Sequence, residues 1–339
     1  MNALATARQR RARVLAAAGA LLGVGFVLGP TIGATDLDLA AVWAAPFAWD
    51  ENPAAAIFFM ARLPRVLLAA IVGASLALAG ATYQSLLRNP LASPYTLGIT
   101  AGASLMTFLV IRFVPAGGLA EFTVPAAALV GALLTTLLVM ALATRRGGTP
   151  PAVLLLAGVT LNFTIGAAVL LVQYFADYTA TARMVRWMMG DLEGATYRLL
   201  AIQLVASAPA WMVLLRRGRM FNLMSLGLDE AQAHGVDAAR ETRTGLLWAS
   251  WLTGVAVAVA GPVGFVGILV PHAVRLLGGV DYRVVLPGAL VGGAGFLVLC
   301  DLLSRWLLRP VELPVGILTA CLGGPFFLIL LLRREVGRG

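Results

Sequence analysis

The sequence predicts an all-α, polytopic membrane protein with about ten transmembrane helices, and three observations carry that prediction. Of 339 residues, 60% are hydrophobic and only 12% charged, and the mean hydropathy is +0.89. Soluble domains carry about 25% charged residues. Stretches such as Val124 to Thr144 have no polar face to turn toward water, which a helix on the surface of a soluble protein would need. Such runs recur along the chain at the roughly 20-residue length that crosses a bilayer. One membrane domain, residues 1–339, accounts for all of them.

In order, spans are expected near 14–32, 62–87, 92–112, 122–143 and 152–175, then near 196–214, 243–260, 265–278, 284–307 and 314–332. The basic start ARQRRARVLAAAGALLGVGFVLG carries an apolar run longer than the 7–15 residues of a secretory signal, so it reads as a retained first span. The second span ends at RNPLASPYTLG, where Asn89, Pro90 and Pro94 enforce a turn. A shorter third span follows, and Gly98, Ala101, Gly102 and Ala103 allow close helix approach. Pro150 and Pro151 open the fifth span, where first-turn prolines forfeit no hydrogen bond. After the sixth span comes the longest polar loop, about 215–242, with Asp229, Glu230, Asp237 and Arg240, divided by Gly227 and Gly235. It reads as one or two short helices that fit a groove in a soluble partner. The eighth span is short for a full crossing and needs support from its neighbours.

Arginine placement sets the sidedness. With the N-terminus inside, the cytoplasmic segments collect Arg8, Arg10, Arg11, Arg13, Arg88, Arg145, Arg146, Arg216, Arg217, Arg219, Arg240, Arg243, Arg275, Arg283, Arg333, Arg334 and Arg338. The first outer segment carries Asp36, Asp38, Asp50 and Glu51 and no arginine before Arg62. Both termini are therefore expected in the cytoplasm. Gly73, Ala77, Gly80, Pro90 and Gly98 recur at the same spacing as Gly254, Ala258, Gly261, Pro271 and Gly279, which suggests an inverted internal repeat of the kind transporters use.

The chain contains no lysine, which excludes a Walker A lysine, a Schiff-base lysine and a Ser-Lys dyad. If ATP drives this protein, another chain binds it. Cys300 and Cys321 lie in apolar runs without a CxxC partner, so neither a disulfide framework nor a zinc site is suggested. His272 has no second ligand at workable spacing and reads as structural, and no metal site is expected. Asp301 lies inside the ninth span, where a carboxylate is costly unless paired, and Arg305 at i+4 offers the partner. A secondary transporter driven by an ion gradient would place paired acids inside the bilayer, and Asp301 is the one acid assigned to a span. An intramembrane enzyme would need a partner for His272.

The stretch RLPRVLLAAIVGASLALAGATYQSLLRNPLASPYTLGITAGAS resembles the signature of the FecCD family, the permease subunits of bacterial importers for ferric siderophores, haem and vitamin B12. The likeness continues through LLLAGVTLNF, VRWMMGDL, LGLDEAQAHGVD, the segment from Ala260 to Arg305, and ELPVGILTACLGGPFFLILLLRR, covering about 56–334. The resemblance implies a type II ABC importer permease in the bacterial inner membrane, working as a homodimer around a central path within membrane lipid. It implies two cytoplasmic ATPase subunits that bind ATP and Mg, an extracytoplasmic substrate-binding protein, no nucleic acid partner, and no cofactor or catalytic residue in this chain. By the same resemblance, Arg62 and Arg305 dock the binding protein, and Gly227, Glu230, Ala231 and Gly235 couple to the ATPase. Thr149 and Pro150 form a cytoplasmic gate. The fifth, eighth and tenth spans line the path, which points to Asn162, Thr164 and Thr319. Asn89, Pro90, Pro94, Gly98, Pro271 and His272 are structural turn positions. The cargo class is a bulky metal chelate, with a ferric siderophore placed first and haem or cobalamin left open because the motifs are shared.

Overall fold

The computed structural model describes residues 2–33, 35–115, 117–144 and 150–336, and among them it is all-helical with no strand. The chain begins with α1 (Asn2–Thr31), followed by the short α2 (Leu39–Ala44) and α3 (Pro53–Ala56). A π-helical turn, Ile57–Arg62, joins α3 to α4 (Leu63–Leu86). Then come α5 (Ile99–Phe113), α6 (Gly118–Thr144), α7 (Pro151–Tyr174), α8 (Tyr178–Met189) and α9 (Tyr197–Arg216). The chain closes with α10 (Gly218–Leu226), α11 (Leu228–Ala233), α12 (Ala238–Ala260), α13 (Val266–Gly278), α14 (Tyr282–Trp306) and α15 (Val315–Val336).

Seven helical stretches among the described residues are long and apolar enough to cross a membrane, while Ile99–Phe113, Val266–Gly278 and Val315–Phe326 are apolar but shorter. At 1.5 Å per residue, the 13-residue α13 reaches only about 20 Å of a roughly 30 Å core, so its ends depend on packing against other helices. Helix starts follow local chemistry. Asp38, Asn52, Asp177, Thr196, Asp237 and Asp281 each accept from a first-turn N–H, and Pro53, Pro64 and Pro151 occupy first-turn positions.

Three features differ from the sequence reading. The sequence predicts the third span near 92–112, but α5 begins only at Ile99. Asn89 accepts from the Leu91 N–H at 2.9 Å, Ser93 and Thr96 hydrogen-bond to each other, and Gly98 takes a left-handed φ of 70°, so the chain up to α5 is turn. Next, α8 occupies a segment read as loop. Asp177 caps it, Gly190 stops it at φ 69°, and at 12 residues it is too short to cross. Finally, the fixed spacing of the repeat holds for α4 and α12 and no further. These two helices pack antiparallel, with Leu86 at the end of α4 against Gly245 near the start of α12. Yet Gly80 lies inside α4 whereas Gly261 ends α12, Pro90 lies in a turn whereas Pro271 is inside α13, and Gly98 precedes α5 whereas Gly279 follows α13. The turn after α12 is shorter than the turn after α4, so the register is lost there, although each turn leads through a left-handed residue, Gly98 at φ 70° and Phe265 at φ 64°, into a short helix, α5 and α13.

The core centres on α4, which is buried along nearly all its length against α14, α12, α13 and α9. Two glycines permit this. A Cβ on Gly73 would overlap the Gly293 carbonyl of α14, and one on Gly80 would overlap the Gly267 carbonyl of α13. Polar pairs then fix the helices laterally. Tyr83 is hydrogen-bonded to Ser250 at 3.1 Å, and Gln84 donates to the Gly267 carbonyl at 3.1 Å. Gln203 donates to the Val255 carbonyl at 3.1 Å, and Trp211 to Ser75 at 3.1 Å. Interhelical bonds of this kind in membranes average about 0.6 kcal/mol each. In contrast, α7 leaves Leu156, Phe163 and Leu170 exposed.

Candidate functional site

The 24 residues of α4 span roughly 36 Å and separate two specialised ends of the bundle. At the first end, where α4 begins and α14 finishes, three arginines converge. Arg62, only 6% exposed, donates to the carbonyls of Pro30 at 3.3 Å and Thr31 at 2.9 Å and also to the Thr35 carbonyl. Arg305 donates to the carbonyls of Gly29 and Ile32, both at 3.1 Å. All but the Thr35 carbonyl belong to the last turn of α1 and the residue beyond it, where no intrahelical donor remains, so the two guanidiniums complete that helix end.

Asp301, fully buried, holds the cluster together. It pairs with Arg305 at 3.0 Å, as the i+4 spacing anticipates, and with Arg65 at 2.7 Å. Arg65 also reaches Glu312 at 2.6 Å. Arg65 and Arg305 thus share Asp301, Arg65 is also paired with Glu312, and Arg62 stands beside them without a carboxylate contact of its own among the described residues. A pocket of about 410 Å³ opens onto this cluster and is closed on another side by the segment Leu192–Thr196. There Asp191 and partial burial push the Glu193 carboxyl above its ordinary pKa. The two arginines read as docking residues therefore sit together at one pocket. Both are buried and held by this chain's own carbonyls, Arg305 by Asp301 as well, rather than extended into solvent.

At the opposite end, α10 is fastened to three helices. Ser85 of α4 donates to the Phe221 carbonyl at 3.1 Å. Asn222 donates to Asp281 at 2.7 Å and accepts from the Tyr282 N–H at 2.7 Å. Arg217, just before α10, forms an ion pair with Glu241 of α12. Partial burial opposes ionisation of Asp281, but hydrogen bonds from Arg283 and Asn222 outweigh it and bring its carboxyl down to about 2. Beyond this anchor, α11 continues the chain. Ala231 is its buried point, Glu230 is exposed, and Gly227 and Gly235 bound it. Gly235 has φ 77° with no atom within 4 Å of where a Cβ would stand. His234 is exposed and bonded to the Glu230 carbonyl at 2.8 Å. This is an anchored helix carrying a short presenting helix, well shaped for contact with another protein.

The remaining expected positions do not form one constellation. Thr149 lies outside the described residues. Pro150 caps α7 in an extended conformation. Asn162 is half-buried, its backbone N–H beside Gly98. Thr164 is exposed on α7, its hydroxyl returned to the Thr160 carbonyl at 2.9 Å. Thr319 is fully buried, with its hydroxyl on the Gly316 carbonyl at 3.0 Å. Pro271 and His272 are buried within α13, and His272 meets the Phe326 ring edge-on at 6.2 Å between centroids. Among the described residues no group of His, Cys, Asp or Glu is placed to hold a metal ion. A larger apolar recess of about 700 Å³ lies elsewhere, lined by Tyr95, Met188, Met189, Phe265, Ile268 and Ile317. Sequence reasoning missed it because its walls come from four separate parts of the chain.

The model of the FecCD transport family matches residues 21–333. This chain belongs to the FecCD transport family. An uncharacterized ABC transporter permease protein of Bacillus subtilis, YvrB, is 37% identical, covering 93% of this chain and 92% of its own. The hemin transport system permease protein HmuU of Yersinia pestis is 41% identical, covering 83% and 85%. The vitamin B12 import system permease protein BtuC of Serratia proteamaculans is 39% identical, covering 86% of each. A solved inward-facing structure of a metal-chelate type ABC transporter superposes with a TM-score of 0.82 at 29% identity, covering 95% of this chain and 99% of that one. The FecCD chain is thus an ABC transporter permease, a transport subunit embedded by several apolar helices.

Within this FecCD permease, Arg65, Glu312, Asn222 and Asp281 are the residues of these two clusters that sequence reasoning overlooked. Arg65 had a signal, since it follows Arg62 by three residues and so falls near it on one helix face. Asn222 had none, because its partners lie about 60 residues later in the chain.

Proposed function

We propose that this permease forms the membrane path of an ATP-driven importer that takes a bulky metal chelate from an external binding protein and delivers it to the cytoplasm. The observation that carries this reading is the pairing of two different ends on the rigid α4–α14 pair. A buried arginine cluster marks one end, and the anchored, protruding α10–α11 unit marks the other. The arginine distribution supports an orientation with both termini and α11 in the cytoplasm of a bacterium, the protein lying in its inner membrane.

In this reading the binding protein docks at the Arg62 end, where carboxylates on its surface meet the guanidiniums gathered there. Two ATPase subunits, which bind ATP and Mg, engage α11 through Gly227, Glu230, Ala231 and Gly235. The chain has no lysine for a phosphate-binding loop and holds no cofactor of its own. Two copies of the permease enclose the path within membrane lipid, and the open apolar face of α7 suits both surroundings. Thr149 and Pro150 gate the path at the cytoplasmic side, and Asn162, Thr164 and Thr319 lie on the helices that line it. The apolar recess beside Tyr95 and Phe265 favours a cargo that is handed over rather than tightly held. A ferric siderophore is one candidate cargo, and the names of the hemin and vitamin B12 relatives favour haem and cobalamin.

Reconstitution tests the proposal. Proteoliposomes holding the permease and its ATPase are offered a loaded binding protein carrying ferric siderophore, haem or cobalamin in turn. The expected result is ATP-dependent uptake of one class, unaffected by a protonophore, with no hydrolysis by the permease alone. Uptake that needs no ATPase and collapses with the proton gradient would replace this reading with ion-driven secondary transport.

A further inference from the structure

At the end of the bundle opposite the Arg62 cluster, α1, α9, α10 and α14 enclose a basic recess of about 340 Å³. Arg11, Arg216, Arg219 and Arg283 line it, together with Leu215 and Pro287. Each arginine comes from a different helix, so the recess exists only in the folded chain. Arg283 has a carboxylate partner, Asp281 at 2.8 Å. Among the described residues, Arg11, Arg216 and Arg219 form no ion pair, whereas Arg217 between the last two is turned to Glu241. Four exposed arginines lining one recess with one carboxylate beside them leave an excess of positive charge that attracts an anion.

The depth of the recess narrows the kind of anion. The apolar stretches Gln9–Thr31, Tyr197–Arg216 and Tyr282–Trp306 all have an end here, which sets the recess at one boundary between bilayer and water. Just inside that boundary α9 bares apolar side chains. Met212, one turn from Arg216, is 53% exposed, and Val205 further along is 73% exposed. A ligand fitting both parts has an anionic head and apolar chains. Arginine forks suit the oxygens of a phosphate group, and basic recesses between spanning helices favour anionic lipid headgroups.

We propose that this recess binds the phosphate headgroup of an anionic phospholipid, whose acyl chains run along the exposed face of α9. The single negative charge of the bound headgroup is shared among Arg11, Arg216 and Arg219, reduces their mutual repulsion and ties α1 to the α9–α10 corner. Because α10 carries α11, the lipid steadies the presenting helix from its membrane side. The site depends on the helices spanning a bilayer, not on the cargo or on ATP, so it stands whether or not the import reading holds.

The test uses the purified full-length permease in nanodiscs of phosphatidylcholine doped with phosphatidylglycerol, with co-retained lipid read by native mass spectrometry. Wild type is expected to enrich phosphatidylglycerol. Arg216→Gln with Arg219→Gln should weaken that retention about 25-fold, or about fivefold per charge at ~1 kcal/mol each. Arg11→Gln alone should weaken it about fivefold and covers the case in which the double variant is not monodisperse. Arg240→Gln with Arg243→Gln removes equal charge elsewhere at the same end and should leave retention unchanged. Retention unchanged in the recess variants, or equally reduced in the control, overturns the proposal. Displacement of the lipid by millimolar inorganic phosphate would reassign the recess to a soluble anion. Loss of ATPase association with lipid retention intact would reassign it to the protein partner.

Discussion

Replacing Asp301 with Asn tests the account of the arginine cluster most directly. Asp301 is fully buried and, among the described residues, is the sole carboxylate contacting Arg305, at 3.0 Å, while it shares Arg65 with Glu312. The substitution keeps the shape and removes one negative charge from a group of three arginines and two acids. Removing one partner of a buried ion pair costs about 3–5 kcal/mol, mainly because the surviving charge is left uncompensated. Arg65 retains Glu312, but Arg305 is left with the carbonyls of Gly29 and Ile32, so the full range applies. Glu312→Gln removes a carboxylate that is 27% exposed, and solvent screening limits that loss to about 0–1 kcal/mol. Equilibrium unfolding of both variants in mixed micelles gives the comparison. Adding Arg305→Gln to Asp301→Asn should restore at least about 1 kcal/mol, since it removes the charge left without a carboxylate. Equal stabilities for Asp301→Asn and Glu312→Gln would refute the reasoning. The same geometry predicts that Arg305→Glu, which sets a second carboxylate against Asp301, loses folded protein before any effect on docking is read.

The other predictions are more local. Gly80→Ala forces a methyl into the Gly267 backbone, which cannot yield, so α4 and α13 must part at about 1–3 kcal/mol; Gly166→Ala on α7 meets nothing within 4 Å and should be neutral or stabilising in the same unfolding assay. Gly235→Val should weaken ATPase co-purification while membrane insertion persists, because a β-branched residue at φ 77° costs at least about 1–2 kcal/mol, and Gly235→Asn should be milder since Asn tolerates that conformation. Equal behaviour of the two would remove the backbone argument. The folded-state pKa of Asp281, about 2, lies below its ordinary 3.8, so its contribution is complete above 3.8 and fades as pH falls toward 2. The stability difference between wild type and Asp281→Asn should shrink over that window, and a difference independent of pH would exclude the charge as its origin.

Much of this molecule is written locally. The apolar runs, the proline-opened helices, the capping residues before α8, α9, α12 and α14, and the glycine-divided loop holding α10 and α11 are all properties of neighbouring residues, so they can be read along the chain. The Asp301–Arg305 pair belongs with them, since both partners share one turn of α14. Helix starts proved less legible where turns compete, as in the delayed start of α5. The short α8 was passed over because its 12 residues fall below the length that marks a span. Only the tertiary structure decided that Arg65 shares Asp301 with Arg305, a contact between residues 236 positions apart, or that Arg62 and Arg305 complete the end of α1. The basic recess of Arg11, Arg216, Arg219 and Arg283 is equally invisible in sequence, where these residues read as four separate inside charges. Hydropathy and capping act within a turn or two of helix. Ion pairing and the closing of a pocket act through space, and their partners are chosen when α4 and α14 pack glycine to glycine.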